Sequence, residues 1–276
     1  MLPAQRHVGP RDWILSLFGS LVRDAGGWIA VADLLTLLET LGSESAASRA
    51  AISRMKGNNE LLAESRAGRN GYSLTTEAEE WFRYGSERIL RPQPAPVTTS
   101  WILVSFSVPE DDRQARYKIR ARLKALGFGQ VSPGLMIAPA ALEGEMERAL
   151  IRAGLQDYVV VWNAEHRGFT STERLVAAAW DLPEIRAAFE GYLQFGSVLL
   201  DLPIPDTQER AFVSYLTAIQ AWRELPFLDP GLPALLLPDD WPAAEALRVY
   251  QDLSGRLREP AFGHATSVMA GSEGVS

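Results

Sequence analysis

Cysteine is absent from all 276 residues, which excludes disulfides, thiolate metal sites and cysteine nucleophiles. Histidine is nearly absent too: His7, His166 and His264 are too scattered along the chain to suggest a metal cluster. No apolar run approaches the roughly 20 residues of a membrane-spanning helix, and the N-terminus lacks the charged-then-apolar pattern of a secretory signal. A cytoplasmic location with no membrane partner is therefore expected. Positive charge is short overall, with 27 Lys+Arg against 34 Asp+Glu, a net charge of −7 and a pI near 5.2. That balance argues against general coating of nucleic acid and leaves specific binding through one basic patch open. Gly127-x-Gly129 does not extend to a dinucleotide fingerprint, and no phosphate-binding P-loop is present. Ser53-Arg54-Met55-Lys56 fits Ser-x-x-Lys, yet the partner motifs of acyl-enzyme chemistry are missing. Nothing here makes a case for catalysis, a metal or a cofactor.

What the chain does contain is an ordinary globular composition, 47% hydrophobic and 22% charged, at a length that favours two or three domains. The stretch 43–75 stands out. Ser43 is placed to cap a helix, with Ala47, Ala51, Ile52 and Met55 at helical spacing facing inward. Ser45, Ser48, Arg49, Ser53, Arg54 and Lys56 are then left on or near the outer face. Leu61 to Ala63 and Tyr72 to Leu74 read as the strands of a hairpin, turning through Ala67-Gly68-Arg69-Asn70-Gly71 with Arg66 and Arg69 at or near its tip. Residues 1–91 balance 11 basic against 11 acidic side chains, while 49–69 alone hold five basic and two acidic. A helix of short polar and basic side chains followed by a basic hairpin is the layout of a winged helix-turn-helix that reads duplex DNA. The plainer alternative is a helix and hairpin whose Arg and Ser merely face solvent.

Taken in order, the spacing predicts helices over 11–25, 31–41 and the reading helix, then a fourth helix capped by Thr75 or Thr76 and running to about Leu90. Arg91-Pro92-Gln93-Pro94-Ala95-Pro96 reads as a linker. Beyond it, Trp101 to Val108 is a strand, 110–126 a helix, 128–138 a hairpin broken at Ser132-Pro133-Gly134, 142–153 a helix and 158–163 a strand. The order βαββαβ predicts a ferredoxin-like plait. Helices are expected over 184–199, 209–225 and 243–257, with a proline loop at 226–242 that is rich enough in Phe, Leu and Trp to pack. The expected class is α+β, with a winged unit at 1–91, a central plait at 97–180, a helical C-terminal domain at 181–265 and a flexible tail at 266–276.

Those segments together resemble the PaaX-type repressors of phenylacetate degradation. The resemblance runs from Trp13 to about Leu257. It rests on Leu17-Phe18-Gly19, on Arg49 through Met55 with Gly68 through Thr75, on Trp101-Ile102-Leu103-Val104 with Gly127-Phe128-Gly129 and Pro133-Gly134, and on Trp180-Asp181-Leu182. Pro226 through Pro230 and Leu237 through Pro242 are its most specific parts. It implies a homodimer that represses transcription from operator DNA and is released by phenylacetyl-coenzyme A or a similar acyl-coenzyme A. The DNA-binding residues are then Ser45, Ser48, Arg49, Ser53, Arg54, Lys56, Arg66, Arg69 and Asn70.

The central plait is also similar to the small nuclease-like subunit of CRISPR adaptation machinery, through Val104 to Pro109. Ser107 stands where that family carries a metal-binding aspartate, and serine is a poor sole ligand for a hard cation. A metal-dependent nuclease and a protein-interaction module are the rival readings. For an effector, the basic helix after Pro109 offers Arg116 and Arg120 to phosphates. Trp162, His166 and Arg167 could line the acyl slot, as could the proline loop. The alternative is that these side chains form a solvated face.

Overall fold

The computed structural model describes residues 8–90, 100–109 and 112–271. The expected linker at 91–96 and the last five residues of the expected tail lie outside them. The class is α+β, with two small antiparallel sheets among many helices. The chain divides into two compact units, one formed by residues 1–92, 191–224 and 245–276, the other by 93–190 and 225–244.

The first unit opens with α1 (Pro10–Leu17), which continues as a wider π-helical turn over Phe18–Val22 and stops where Gly26 and Gly27 take positive φ. A short strand that the sequence pattern did not reveal follows, β1 (Trp28–Ala30), then α2 (Val31–Thr40) and α3 (Ser45–Gly57). Strands β2 (Leu61–Arg66) and β3 (Arg69–Leu74) form the wing, and β3 lies between β1 and β2. Its turn is tighter than expected. Only Ala67 and Gly68 lie outside the strands, at φ 48° and 76°, the two positive values a two-residue turn needs to match the strand twist. Thr75 caps α4 (Thr76–Leu90) by accepting from the Ala78 N–H.

The core of this unit gathers Ile14, Leu17, Phe18 and Leu21 with Leu34, Leu37 and Leu38 of α2 and Ile52 and Met55 of α3. It also includes Phe212, Leu216 and Ile219 of α9 (Gln208–Trp222) and Leu253, Leu257, Ala261 and Ala265 of α11 (Ala243–Gly271). The helices of the segment 181–265 are shared between the two units, and the later ones complete the core of the winged unit. The expected tail at 266–276 is corrected as far as Gly271: α11 runs on through Pro260, with Val268 and Met269 packed on the core. Small residues let α11 approach its neighbours closely. A Cβ on Gly263 would fall 2.8 Å from Gln208 of α9, and one on Gly196 would fall 2.4 Å from Val249 of α11.

The second unit is a plait. Strands β4 (Trp101–Phe106), β5 (Gly129–Ser132), β6 (Leu135–Pro139) and β7 (Val159–Ala164) stand in the order β5-β6-β4-β7, all neighbours antiparallel. Helices α5 (Arg113–Ala125) and α6 (Glu143–Arg152) share a core with one face of the sheet, through Ile119, Leu123, Met146 and Leu150 against Ile102, Val104, Met136 and Ala138. On the other face, α7 (Thr172–Ala179) leads into Trp180, whose indole N–H donates to the Gly127 carbonyl at 2.8 Å and whose ring sits 6.2 Å from Trp101. Helix α8 (Leu182–Asp201) starts here, and Arg186 ties to Asp240 at 2.7 Å and covers the Trp241 ring. The proline loop, with α10 (Leu225–Leu228), buries Leu225, Leu232 and Leu236, so it packs as its composition suggested.

Gly71 tests the wing's construction. A Cβ there would lie 2.4 Å from the Trp28 ring and 2.5 Å from the Ile29 carbonyl, a backbone atom that cannot step aside. Gly71→Ala is expected to cost about 1–3 kcal/mol, or more if β1 is displaced, read as a lower urea midpoint at unchanged m-value.

Candidate nucleic-acid interface

Helix α3 owes its orientation to four residues. Ser48, Ala51, Ile52 and Met55, spaced i, i+3, i+4 and i+7, are all buried. At about 100° per residue, this phase turns Ala46, Ala50, Ser53 and Gly57 to the outermost line of the helix. Arg49 lies on one flank and Arg54 on the other. All six are exposed, as are Ser45 and Lys56. The sequence reading missed this apex of small residues, because alanine carries no chemical signal of its own. The signal available was the phase. Ser48 belongs to the buried face, at 1% exposure, and its hydroxyl finds no partner there. It is therefore withdrawn from the surface set. Ala47, expected inside, is exposed, and Glu44 rather than Ser43 is the N-cap.

The helix ends in a Schellman motif. Asn59 at φ 58° supplies the left-handed residue, its N–H bonding to the Lys56 carbonyl and that of Glu60 to the Met55 carbonyl. Asn tolerates this conformation better than other side chains, which accounts for Gly57-Asn58-Asn59-Glu60 between the helix and the wing. Arg49 and Arg54 make no ion pair or hydrogen bond with any described residue, and Lys56 only leans over the Tyr72 ring at 5.9 Å.

The wing is different. Asn70 is exposed, but Arg66 is shared between Glu64 at 2.8 Å, the Gly26 carbonyl and the Trp28 ring. Glu64 is held below the usual carboxylate range, first by a hydrogen bond from Ser73 and then by Arg66. Arg69 closes the turn opposite Arg66, but its side chain does not point out from the tip. It begins β3 and turns inward, donating from Nη2 to both carboxylate oxygens of Asp33 at 2.7 and 2.8 Å and from Nη1 to the Met269 carbonyl at 3.4 Å. Asp33 is 2% exposed. A carboxylate that buried must be paired, so Arg69 is committed to the fold and is withdrawn as a phosphate contact.

The expected effector residues are not brought together. Arg116 donates to the Val108 carbonyl and Arg120 to the Pro133 carbonyl, both at 2.9 Å, so each fastens α5 to its own unit. Asp112 caps that helix through the Ala115 N–H, and the Tyr158 hydroxyl, its strongest influence, keeps its carboxyl below the ordinary range. Trp162 lies on the opposite face of the sheet, its indole N–H on Ser105 at 3.1 Å, because alternate residues of a strand point to opposite faces. His166 meets Thr172 at 3.1 Å, and Arg167 pairs with Glu165 at 2.9 Å in solvent. One slot lined by Arg116, Arg120 and Trp162 is thus ruled out by the strand alternation. Ser107 is exposed after β4, and no group of three or more His, Asp or Glu able to hold a metal ion occurs among the described residues.

Comparison with known proteins agrees with this layout. Residues 10–78 match the family model described as PaaX-like protein, 94–176 the PaaX protein central Cas2-like domain, and 180–267 the PaaX-like protein C-terminal domain. The Transcriptional repressor PaaX of Escherichia coli (strain K12) is 30% identical over 256 residues, covering 88% of this chain and 80% of that protein. The chain belongs to the PaaX family. A solved structure, the uncharacterized protein Rv0674 from Mycobacterium tuberculosis, superposes with a TM-score of 0.58 at 22% identity, covering 94% of this chain and 99% of that one, and shows the shared fold. In this PaaX-family chain the family's C-terminal domain, 180–267, is divided between the two compact units. Among the described residues no helix is long and apolar enough to cross a membrane.

Breaking the Arg69–Asp33 pair should cost about 2–4 kcal/mol, because the buried carboxylate loses its guanidinium partner. Arg69→Met is expected to lower the denaturant midpoint accordingly. The double variant Arg69→Met with Asp33→Leu should recover most of the loss.

Proposed function

We propose that this chain is a sequence-specific DNA-binding transcriptional repressor, active as a homodimer, that reads its operator with the exposed face of α3. The single observation carrying this is that Arg49, Arg54 and Lys56 remain exposed and without an ion pair among the described residues, on a chain of net charge −7. Free cations flanking an apex of Ala and Gly suit close entry into a major groove: arginine for guanine edges, alanine methyls for thymine methyls. Ser45 and Ser53 are placed for phosphates or bases, and Arg66 and Asn70 for the neighbouring backbone. A dimer would set two such helices one turn of DNA apart, about 34 Å. The repressor named among its relatives supports the direction of regulation.

The same reading assigns the operon to aromatic-acid catabolism, phenylacetate in the first place, with release by an acyl-coenzyme A such as phenylacetyl-coenzyme A. Release requires that the effector favour one arrangement of the dimer over the other.

Gel shifts of the DNA upstream of its own gene, over several salt concentrations, test the assignment. Arg49→Ala and Arg54→Ala should each cost roughly 1–3 kcal/mol and relax sequence preference. Arg66→Ala should weaken binding evenly across sequences and lower the salt slope by about 1. Equal binding by Arg49→Ala, Arg54→Ala and the parent protein would remove α3 from the interface. Cleavage of the DNA on adding magnesium would favour the nuclease reading instead.

A further inference from the structure

Positive charge in the second unit is concentrated on one helix. That unit holds 11 Lys+Arg against 15 Asp+Glu, and six of the eleven lie between Arg113 and Lys124, a stretch without a carboxylate. The rest of the unit carries five Lys+Arg against all 15 acids, so an anion is attracted at α5 and on balance repelled elsewhere. Little of the helix's charge is neutralised from within. None of Arg113, Arg116, Lys118, Arg120, Arg122 and Lys124 forms an ion pair with a described residue. Arg116 and Arg120 donate to the Val108 and Pro133 carbonyls, neutral acceptors that leave both charges in place. Asp112 accepts from the Ala115 N–H and the Tyr158 hydroxyl, and it feels Lys118 without pairing to it.

The burial phase arranges this set. Ala115, Ile119 and Leu123, at i, i+4 and i+8, are buried and define the inner line of α5. Arg113, Tyr117, Ala121 and Lys124 then face outward, with Lys118 and Arg122 on one flank and Arg116 and Arg120 on the other. Arg113, Tyr117, Lys118, Arg122 and Lys124 are all exposed, Tyr117 to 74%, and its hydroxyl bonds no described residue. Each of the five offers N–H or O–H donors, the groups that phosphate oxygens accept from. From Arg113 to Lys124 the line runs about 17 Å, about five base-pair rises of a duplex. Helix α6, which shares the core beside it, mixes Glu143, Glu145 and Glu147 with Arg148 and Arg152, so the positive strip is one helix wide. A ridge of that width meets one strand of phosphates. It is no groove, and its lone aromatic ring does not make the successive stacking platforms that hold unpaired bases.

We propose that α5 is a second DNA-contacting surface, which meets the phosphate backbone of a duplex without regard to sequence through Arg113, Tyr117, Lys118, Arg122 and Lys124. The choice of DNA among polyanions rests on the repressor reading above, but the surface lies in the other unit and shares no residue with α3 or the wing. Base reading stays with α3. Helix α5 adds affinity alone, because phosphate contacts position a protein and carry no base information.

Fluorescence anisotropy of the full chain tests this, on a duplex about three helical turns long without operator sequence and on the best sequence selected from a random library. Salt is varied from about 50 to 200 mM. The triple variant Arg113→Gln, Lys118→Gln, Lys124→Gln keeps good helix formers at exposed positions. It should bind the operator-free duplex about tenfold or more weakly at the low-salt end, with the slope of log affinity against log salt shallower by roughly 2–3. Lys124→Gln alone should lower the slope by about 1. The preference for selected over operator-free DNA should be unchanged in both. A control triple variant, Arg152→Gln, Arg167→Gln, Arg174→Gln, removes the same charge from exposed positions of the same unit and should leave the slope as it is. Equal slopes for the parent and the α5 variants, or equal losses in the α5 and control triples, would overturn the inference. So would polyglutamate that competes as well as a duplex of matched charge, since α5 would then suit an acidic protein. In each of these cases, relaxed sequence preference in Arg49→Ala leaves the repressor reading standing. Failure of any duplex to bind the parent chain would contradict both.

Discussion

The Asp33 carboxylate is the constraint on which the winged unit turns. It sits on α2, almost wholly out of water, and a charge in that position is tolerable only with a partner. Arg69 supplies the partner from the first residue of β3 and reaches on to the last turn of α11. One side chain therefore fixes the wing relative to the helix-turn-helix and both relative to the C-terminal helix. The cost is that the residue best placed by sequence to touch phosphate is unavailable to it.

Removing Arg69 from the surface sharpens the electrostatics of the rest. Arg66 is partly neutralised by Glu64, and Arg11 and Arg23 are paired with Glu60 and Glu79. The exposed cations of α3 then form the positive strip beside the wing, and α5 of the other unit carries a second exposed set in Arg113, Lys118, Arg122 and Lys124. Geometry and charge agree on the same strip of helix. The core agrees too. Because α9 and α11 complete the hydrophobic interior beneath α1 to α3, the helix-turn-helix and the later helices share one core.

Much of this was legible in the residues. The apolar periods of α1, α2, α5 and α6, the glycines that end the early helices, and the βαββαβ order were all readable, because each is a local pattern. What escaped was of two kinds. Short elements have too few residues to show a period: β1 is three residues long and is held by pairing with β3. Side chains whose role depends on a distant partner were misplaced, since the sequence near Arg69 gives no sign of Asp33 or Met269. Ser48 failed for a related reason: a serine at a buried phase position looks polar in the sequence and is silent about its depth. The extension of α11 beyond Leu257 was hidden by Pro260 and by a run of small residues that resembles a tail. Ala261 and Ala265 are instead the close-packing face of a helix. The divided C-terminal domain is a property of tertiary contact that no local signal records.

The claim that α3 enters a major groove is tested most directly by methylation interference on DNA selected from a random library by the full chain. Guanine N7 lies in the major groove, so its methylation should block binding in two patches, centred one helical turn apart, with no effect in the minor-groove face between them. Interference confined to adenine N3 in the minor groove, or binding indifferent to methylation at every guanine, would contradict the account.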